Sequence, residues 1–267
     1  MSTDAIADFK AAQRAGWAHF APLQVLTTEP AGRLVRFADI HPGDRVLDVA
    51  CGTGVVAVTA ARRGATVTGL DLTPQLLDVA RDNAQIARVD IDWHEGDAED
   101  LPFPADSFDV VVSQFGHMFA PQPDVALGEM LRVLKPGGTI AFSTWPPELF
   151  IGRLFAVTSK YMPPLPAGVA PPPLWGDPGV VRERLGDRVR DLRFDRETMM
   201  VPALSVQHQR ESLERSAGPV IKLVEMLNTS DPAKLETYRR ECEAVITEYL
   251  ADNTLRQGYL MTRATKV

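Results

Sequence analysis

Only two cysteines occur in 267 residues, Cys51 and Cys242. They are too few and too far apart for a disulfide framework or a cysteine-rich metal site, so no metal is expected. Such sparing use of cysteine fits a reducing cytoplasm. Aromatic residues make up only 7% of the chain, and no apolar run approaches the ~18 residues that a membrane-spanning helix needs, so membrane insertion is not expected. The opening MSTDAIADFKAAQRAGWAHF lacks the basic start and apolar stretch of a secretory signal. Positive charge is also short. Lys and Arg number 28 against 35 Asp and Glu, a net charge of -7, so no overall positive field exists to hold a phosphate backbone and nucleic acid is not an expected partner. What is present, 45% hydrophobic and 24% charged residues, is ordinary globular composition. The length suits one large domain, or a core carrying an inserted cap.

From Arg45 to Trp145, short β-branched apolar runs alternate with helical stretches, the pattern of parallel strands joined by crossover helices. Strands are expected at 45–50, 66–70, 91–94, 108–113 and 139–144, the last following a turn at Lys135-Pro-Gly-Gly138. A helix is expected from about Val55 to Arg63, closed by Gly64. A second begins at Thr73-Pro74, with the threonine hydroxyl as its cap. After Trp145 the pattern changes. Residues 162–179 contain seven prolines, which exclude a helix or a central strand and read as a long loop or lid. Residues 189–196 and 258–264 alternate as half-exposed strands do, and helices are expected at 206–216, 219–227 and 231–250. The charge run 182–197, with six arginines and five acids, reads as a solvated surface. The organisation expected is N-terminal cap helices at 1–40, a core at 41–145, a proline-rich lid loop and sixth strand at 146–204, a helical cap at 205–253 and a final strand at 254–267.

The strongest chemical signal is Val46-Leu-Asp-Val-Ala-Cys-Gly-Thr-Gly54, a strand running into a glycine turn and then a helix, where backbone can approach a ligand. Gly52, Gly54 and Ala57 also satisfy a dinucleotide-binding spacing, and Asp71 falls 19 residues after Gly52, where a ribose-binding acid belongs. That spacing fits more than one cofactor. Asp48, however, puts an acid in the first strand, where nicotinamide-binding strands normally carry an apolar residue. A carboxylate there suits the ammonium of an amino-acid-like ligand.

Together with Asp71, the segment Gly96-Asp-Ala-Glu-Asp-Leu-Pro-Phe-Pro104, residues 108–116 and Leu134-Lys-Pro-Gly-Gly138, this run resembles a class I S-adenosylmethionine-dependent methyltransferase. It is similar in particular to the branch of ubiquinone and menaquinone biosynthesis methyltransferases. The resemblance covers roughly residues 42–145. It implies an α/β, Rossmann-like three-layer sandwich with a seven-stranded, mostly parallel sheet and a helical cap, the last two strands lying near Val189 and Gly258. It further implies that Gly52, Thr53 and Gly54 wrap the methionine portion of S-adenosylmethionine and that Asp71 takes the ribose hydroxyls. Asp97 and Ala98 would meet the adenine edge, with Gln114 near the methionine amino group. Ala50, Leu72 and Glu99 complete the cofactor-binding set with Asp48. Cys51 is read as packing rather than chemistry.

The reaction implied is methyl transfer to a small organic molecule by in-line displacement, with the protein holding the nucleophile about 3 Å from the methyl carbon and excluding water. His117, three residues after Gln114, is the candidate catalytic base. Trp17 and His19 on the N-terminal helix, and Met118, Phe119, Phe150, Phe155, Tyr161 and Trp175, are candidates to line an apolar substrate cavity. Two other readings stand beside this one. One is an NAD(P)-dependent oxidoreductase, resting on the glycine spacing and Asp71. The other is a non-catalytic S-adenosylmethionine-binding protein, since methyl transfer requires no diagnostic side chain. The position after the fourth strand reads Ser113-Gln-Phe-Gly-His117, unlike the Asn/Asp-Pro-Pro-aromatic motif of base-modifying enzymes. Oligomeric state is not legible.

Overall fold

A computed structural model describes residues 2–267. Two helices, α1 (Ser2–Trp17) and α2 (Gln24–Phe37), precede the first strand. Strands β1 (Arg45–Val49), β2 (Thr66–Asp71), β3 (Ile91–Glu95), β4 (Phe108–Gln114) and β5 (Leu134–Thr144) then alternate with α3 (Val55–Ala61), α4 (Pro74–Ala87) and α5 (Pro123–Val133). The second half runs α6 (Phe150–Ser159), α7 (Pro178–Leu185), β6 (Val189–Pro202), α8 (Val206–Ser216), α9 (Gly218–Ser230), α10 (Pro232–Tyr249), the two-residue β7 (Leu250–Ala251) and β8 (Thr254–Lys266).

The sheet order is β3-β2-β1-β4-β5-β8-β6, with β7 paired only to β8. The first five strands are mutually parallel, and β8 runs antiparallel to both β5 and β6. The period-two side-chain alternation decides which core each residue enters. Val46, Val110 and Val112 meet Leu34, Val35, Val56 and Ala60 on the α2/α3 face. Leu47, Val49 and Val111 meet Leu127, Met130 and the cap on the other. All of these are fully or almost fully buried, and each large aliphatic contributes about 1.5–3 kcal/mol. Asp48 shares the face of Val46 and lies beneath the start of α3.

Several expectations change. Lys135 to Gly138 is not a turn between elements but a kink within β5, with Gly137 at φ 77° and a register shift opposite Phe108 and Val110. Thr73 does stand at the N-cap of α4, yet its side chain makes no capping bond. Helices α6 and α7 were not anticipated. The proline-rich stretch 162–179 is ordered, as expected, but it is anchored in the core. Its Trp175 is 1% exposed and touches His117 and Phe142, and Thr144 Oγ1 donates to the Trp175 carbonyl at 3.0 Å. Arg184 departs from the solvated reading of its charge run, since its guanidinium lies over the Trp175 ring at 4.8 Å.

The three helices after β6 lie within a few residues of their expected bounds, and two of them, α8 and α10, start at a side-chain cap. Ser205 Oγ accepts from His208 N at 3.1 Å and Asp231 Oδ1 from Lys234 N at 3.0 Å, the side-chain caps that satisfy orphan amides of a first turn. Helix α6 joins this cap through Arg153–Glu248 at 2.6 Å and Lys160–Glu241 at 2.8 Å. Helix α1 packs on α9 where Gly16 meets Gly218. A Cβ built on Gly218 would fall 2.5 Å from the Gly16 backbone, so both positions require glycine for the helices to touch.

Candidate active site

Parallel strands leave a crevice at their carboxyl ends where neighbouring crossovers diverge. Here that point lies between β1 and β4. A cavity of about 280 Å³ opens there, floored by the strand ends and roofed by α1, α6, α8 and α10. Its lower part is polar and its upper part largely apolar.

The lower part is shaped by backbone conformation. Ala50, Gly52 and Gly54 have φ of 54°, 54° and 77°, so the chain after β1 curls through left-handed positions before α3 starts. Asp71 accepts from Gly52 N at 2.7 Å and from Thr73 N at 2.8 Å, tying the glycine turn to the end of β2. Asn83 steadies the same turn by donating to the Thr53 carbonyl at 2.9 Å. Beside it, Ser113 Oγ donates to the Val49 carbonyl at 2.6 Å and accepts from His117 N at 3.1 Å. The β4 turn carries Phe115 at φ 61°. Gly116 backs so closely onto Ala50 that a Cβ would sit 2.5 Å from the Ala50 carbonyl oxygen.

Two buried oxygens here have no hydrogen-bond partner among the described residues, Asp48 Oδ1 and Gln114 Oε1. The other Asp48 oxygen accepts from Ala57 N in the first turn of α3 at 3.0 Å. Gln114 donates its amide to the Thr27 carbonyl at 2.7 Å, which fixes the orientation of its free oxygen. Burial pushes the Asp48 carboxyl up to about 8, against the Ala57 amide, which lowers it, and with the nearby Asp71 adding to the rise. Asp71 is also raised by burial, partly offset by its two backbone donors. A buried acceptor without a donor is costly, so both orphaned oxygens call for a donor from a ligand.

Nine of the sequence-predicted cofactor residues line this cavity: Asp48, Ala50, Gly52, Thr53, Asp71, Leu72, Asp97, Ala98 and Gln114. Gly54 does not. It packs inward, where a Cβ would meet Trp93 Cη2 at 2.6 Å, so its role is the turn and the packing beneath it. Glu99 is absent as well, because its side chain is consumed by Lys10 at 2.6 Å and by Gln122 N at 2.5 Å. Lys10 also reaches Asp97 at 2.6 Å, holding α1 across the loop after β3. Burial works against the Lys10 charge, but the bonds to Asp97 and Glu99 outweigh it and raise its pKa.

His117 borders the cavity, but its ring sits among Phe142 and Trp175, with centroids at 4.6 and 4.7 Å. Neither ring nitrogen has a partner among the described residues, and burial, assisted by the Arg184 charge, lowers its pKa to about 3. An imidazole so weakly basic, with nothing to relay a proton, is a poor general base at neutral pH. Cys51 borders the cavity too, its thiol pushed well above the ordinary range by burial and then by Asp48 and Asp71, which keeps it un-ionised and unreactive.

Among the aromatic candidates, Trp17, Phe119 and Phe155 line the cavity. Met118, Phe150, Tyr161 and Trp175 belong to the core instead, and His19 is exposed. None of residues 162–179 lines the cavity, so the proline-rich stretch braces the core and the helices of 205–253 form the roof. The sequence reading missed Trp145, stacked on Phe115 at 3.8 Å and 8°, as well as Gln209 and Gln257.

A doubly wound sheet with a glycine turn at its switch point, an acid ending β2 and a roof over the strand ends defines a cofactor-dependent α/β enzyme. The methyltransferase domain model matches residues 47–142. An uncharacterised protein of Mycobacterium tuberculosis is 38% identical over 234 residues, 87% of this chain and 85% of that protein. The demethylmenaquinone methyltransferase of Deinococcus radiodurans is 39% identical over 128 residues, 46% of this chain and 53% of that enzyme. The fold is shared with the crystal structure of a putative methyltransferase from Bacillus halodurans, at TM-score 0.60 and 20% identity over 88% of this chain and 98% of that one. The chain carries a methyltransferase domain over residues 47–142, belongs to one family with the Mycobacterium tuberculosis protein and is a methyltransferase.

Proposed function

We propose that the polar floor of the cavity holds S-adenosylmethionine and that the apolar space beneath the cap holds a small organic methyl acceptor. The observation that carries this reading is the pair of orphaned acceptors, Asp48 Oδ1 and Gln114 Oε1, in a cavity whose floor has two buried carboxylates and no ion-pairing cation for either. A ligand bearing an ammonium and a sulfonium supplies the missing donor and the missing charge. A pyrophosphate placed there would bring neither a donor for the Gln114 oxygen nor positive charge.

When bound, the cofactor supplies a methyl group on a positively charged sulfur. Gly52 and Thr53 give backbone access to its amino-acid portion, Asp71 accepts from the ribose while retaining its two backbone donors, and Asp97 and Ala98 border the base. Phe115 and Trp145 wall the floor toward the acceptor space, and α1, α6, α8 and α10 keep water out. These residues bind, orient and desolvate, which is most of what a displacement at a methyl carbon demands. The demethylmenaquinone relative is consistent with an apolar ring-bearing acceptor.

Titration calorimetry with S-adenosylhomocysteine and with NAD tests the reading. Binding of the first in the micromolar range, near -8 kcal/mol, with no measurable NAD binding, is the expected outcome. Preferential NAD binding would overturn it.

A further inference from the structure

The upper chamber is apolar along α1 and α6 but contains two neutral amides that no described residue engages. Gln209 on α8 is 4% exposed and Gln257 on β8 is 3% exposed, and both line the cavity. Neither side chain hydrogen-bonds to another described residue. Both residues line the cavity and have almost no other exposed surface, which places their amides toward the chamber. Gln257 precedes Leu260, the partner of Thr144 at the end of β5, and pairs with Met199 of β6, which also lines the cavity. It thus overhangs the sheet edge beside Trp145. Gln209 descends from the roof in one i, i+4 row with Leu213 and Ala217, both lining residues.

The charges bordering this space are already matched. Arg210 pairs with Glu214 at 2.6 Å, Glu243 at 2.8 Å and Glu211 at 3.6 Å, and Arg239 pairs with Glu214 at 3.0 Å and Glu236 at 2.8 Å. Every charge in this network already has a partner, so an ionic substrate would find no unpaired counter-charge in it and would lose its hydration.

We propose that the acceptor is an uncharged, largely apolar molecule carrying a hydroxyl or carbonyl oxygen, and that Gln209 and Gln257 select it by hydrogen-bonding that oxygen. Each amide has both a donor and an acceptor, so either group can be satisfied. The inference rests on the methyl-transfer reading above and adds the substrate class to it.

The test uses one ring system with four head groups: naphthalene, 2-naphthol, 2-naphthoate and 2-naphthylmethylammonium. Each is titrated by fluorescence at pH 7 into the full chain saturated with S-adenosylhomocysteine. The wild type should bind 2-naphthol about fivefold or more tighter than naphthalene, the value of one net hydrogen bond, and tighter than either ion. Gln209→Leu and Gln257→Leu should each reduce that preference, and the double variant should abolish it. Affinity for S-adenosylhomocysteine should stay unchanged, and the melting temperature should be equal or higher because an unpartnered buried amide has been removed. Tighter binding of either ion, a naphthol preference that survives in the double variant, or no binding by any of the four probes would overturn the proposal. Failure of the wild type to bind S-adenosylhomocysteine would instead overturn the methyl-transfer reading.

Discussion

Replacing Asp48 with Asn separates what the folded chain wants at this position from what the ligand wants. Burial raises the Asp48 carboxyl from 3.8 to about 8, so at pH 7 the ligand-free protein holds it mostly protonated while the unfolded chain holds it ionised. The cost to folding is about 1.4 kcal/mol for each pH interval between the unfolded value and the working pH, on the order of 4 kcal/mol at pH 7 as an upper bound. The sign follows from the direction of the shift. Below about pH 4 both states are protonated and the penalty is absent. It grows as pH rises and levels off above about 8, where the folded carboxyl also ionises. Asn retains an oxygen for Ala57 N and carries no charge, so Asp48→Asn should raise the melting temperature by several degrees at pH 7.5 and by almost nothing at pH 4. Binding should move the other way. A ligand ammonium requires the ionised carboxylate, so wild-type affinity for S-adenosylhomocysteine should strengthen from pH 6 to 8, whereas Asp48→Asn should bind at least tenfold more weakly and lose that pH dependence. Thermal melts across pH 4–8 paired with calorimetric titrations measure both. A variant that is no more stable at pH 7.5 and binds as well as the wild type would refute the argument.

Asp71→Ala should weaken S-adenosylhomocysteine binding by on the order of 2–4 kcal/mol and also lower the melting temperature, because Gly52 N and Thr73 N lose their acceptor; unchanged affinity in a folded variant would reduce Asp71 to a turn residue. Gly54→Ala should destabilise by about 1–3 kcal/mol, since its Cβ would strike Trp93 at φ 77°. Gly52→Ala, with open space around its Cβ but φ 54°, should cost only about 1 kcal/mol in stability and act mainly on binding, a contrast that melts and titrations of the two variants would show. The His117 imidazole should remain neutral down to about pH 4 by NMR titration, given its pKa near 3. Its contribution to stability should therefore be lost as pH falls from 6.5 toward 3, and an inflection near 6.5 would show that the ring is hydrated and available as a base.

The half of the fold built from strand, turn and helix was legible because each element announces itself locally. Leu47, Val49 and Val111 alternate against Val46 and Val110, and Pro74 marks the first turn of α4. The floor of the cavity was legible for a similar reason, since its residues sit within a few positions of strand ends. Gly54 and Glu99 were misplaced because spacing cannot say which side of a turn meets solvent. Trp93 lies against Gly54, and Lys10, 89 residues before Glu99 in the sequence, claims that carboxylate. Gln209 and Gln257 gave no local sign at all. A glutamine in a helix as polar as α8 reads as surface, and only the closing of β8 beside β5 and β6 brings the two amides over one space. The proline stretch was misread as a lid because proline content reports backbone conformation and says nothing about Trp175 being driven into the core.

Helix α1 touches the cavity at one end and the roof at the other. Lys10 grips Asp97 and Glu99, Gln13 donates to the Phe119 carbonyl at 2.8 Å, Ala12 accepts from Lys222 at 2.6 Å, and Gly16 meets Gly218. The earliest part of the chain is therefore a strut between two regions that the sequence separates by more than a hundred residues. Shortening the protein to residue 18 would remove a wall of the cavity, strip the neighbour from a glycine shaped for contact and leave Asp97 without its cation, so the smallest unit that keeps the cavity intact includes the first helix.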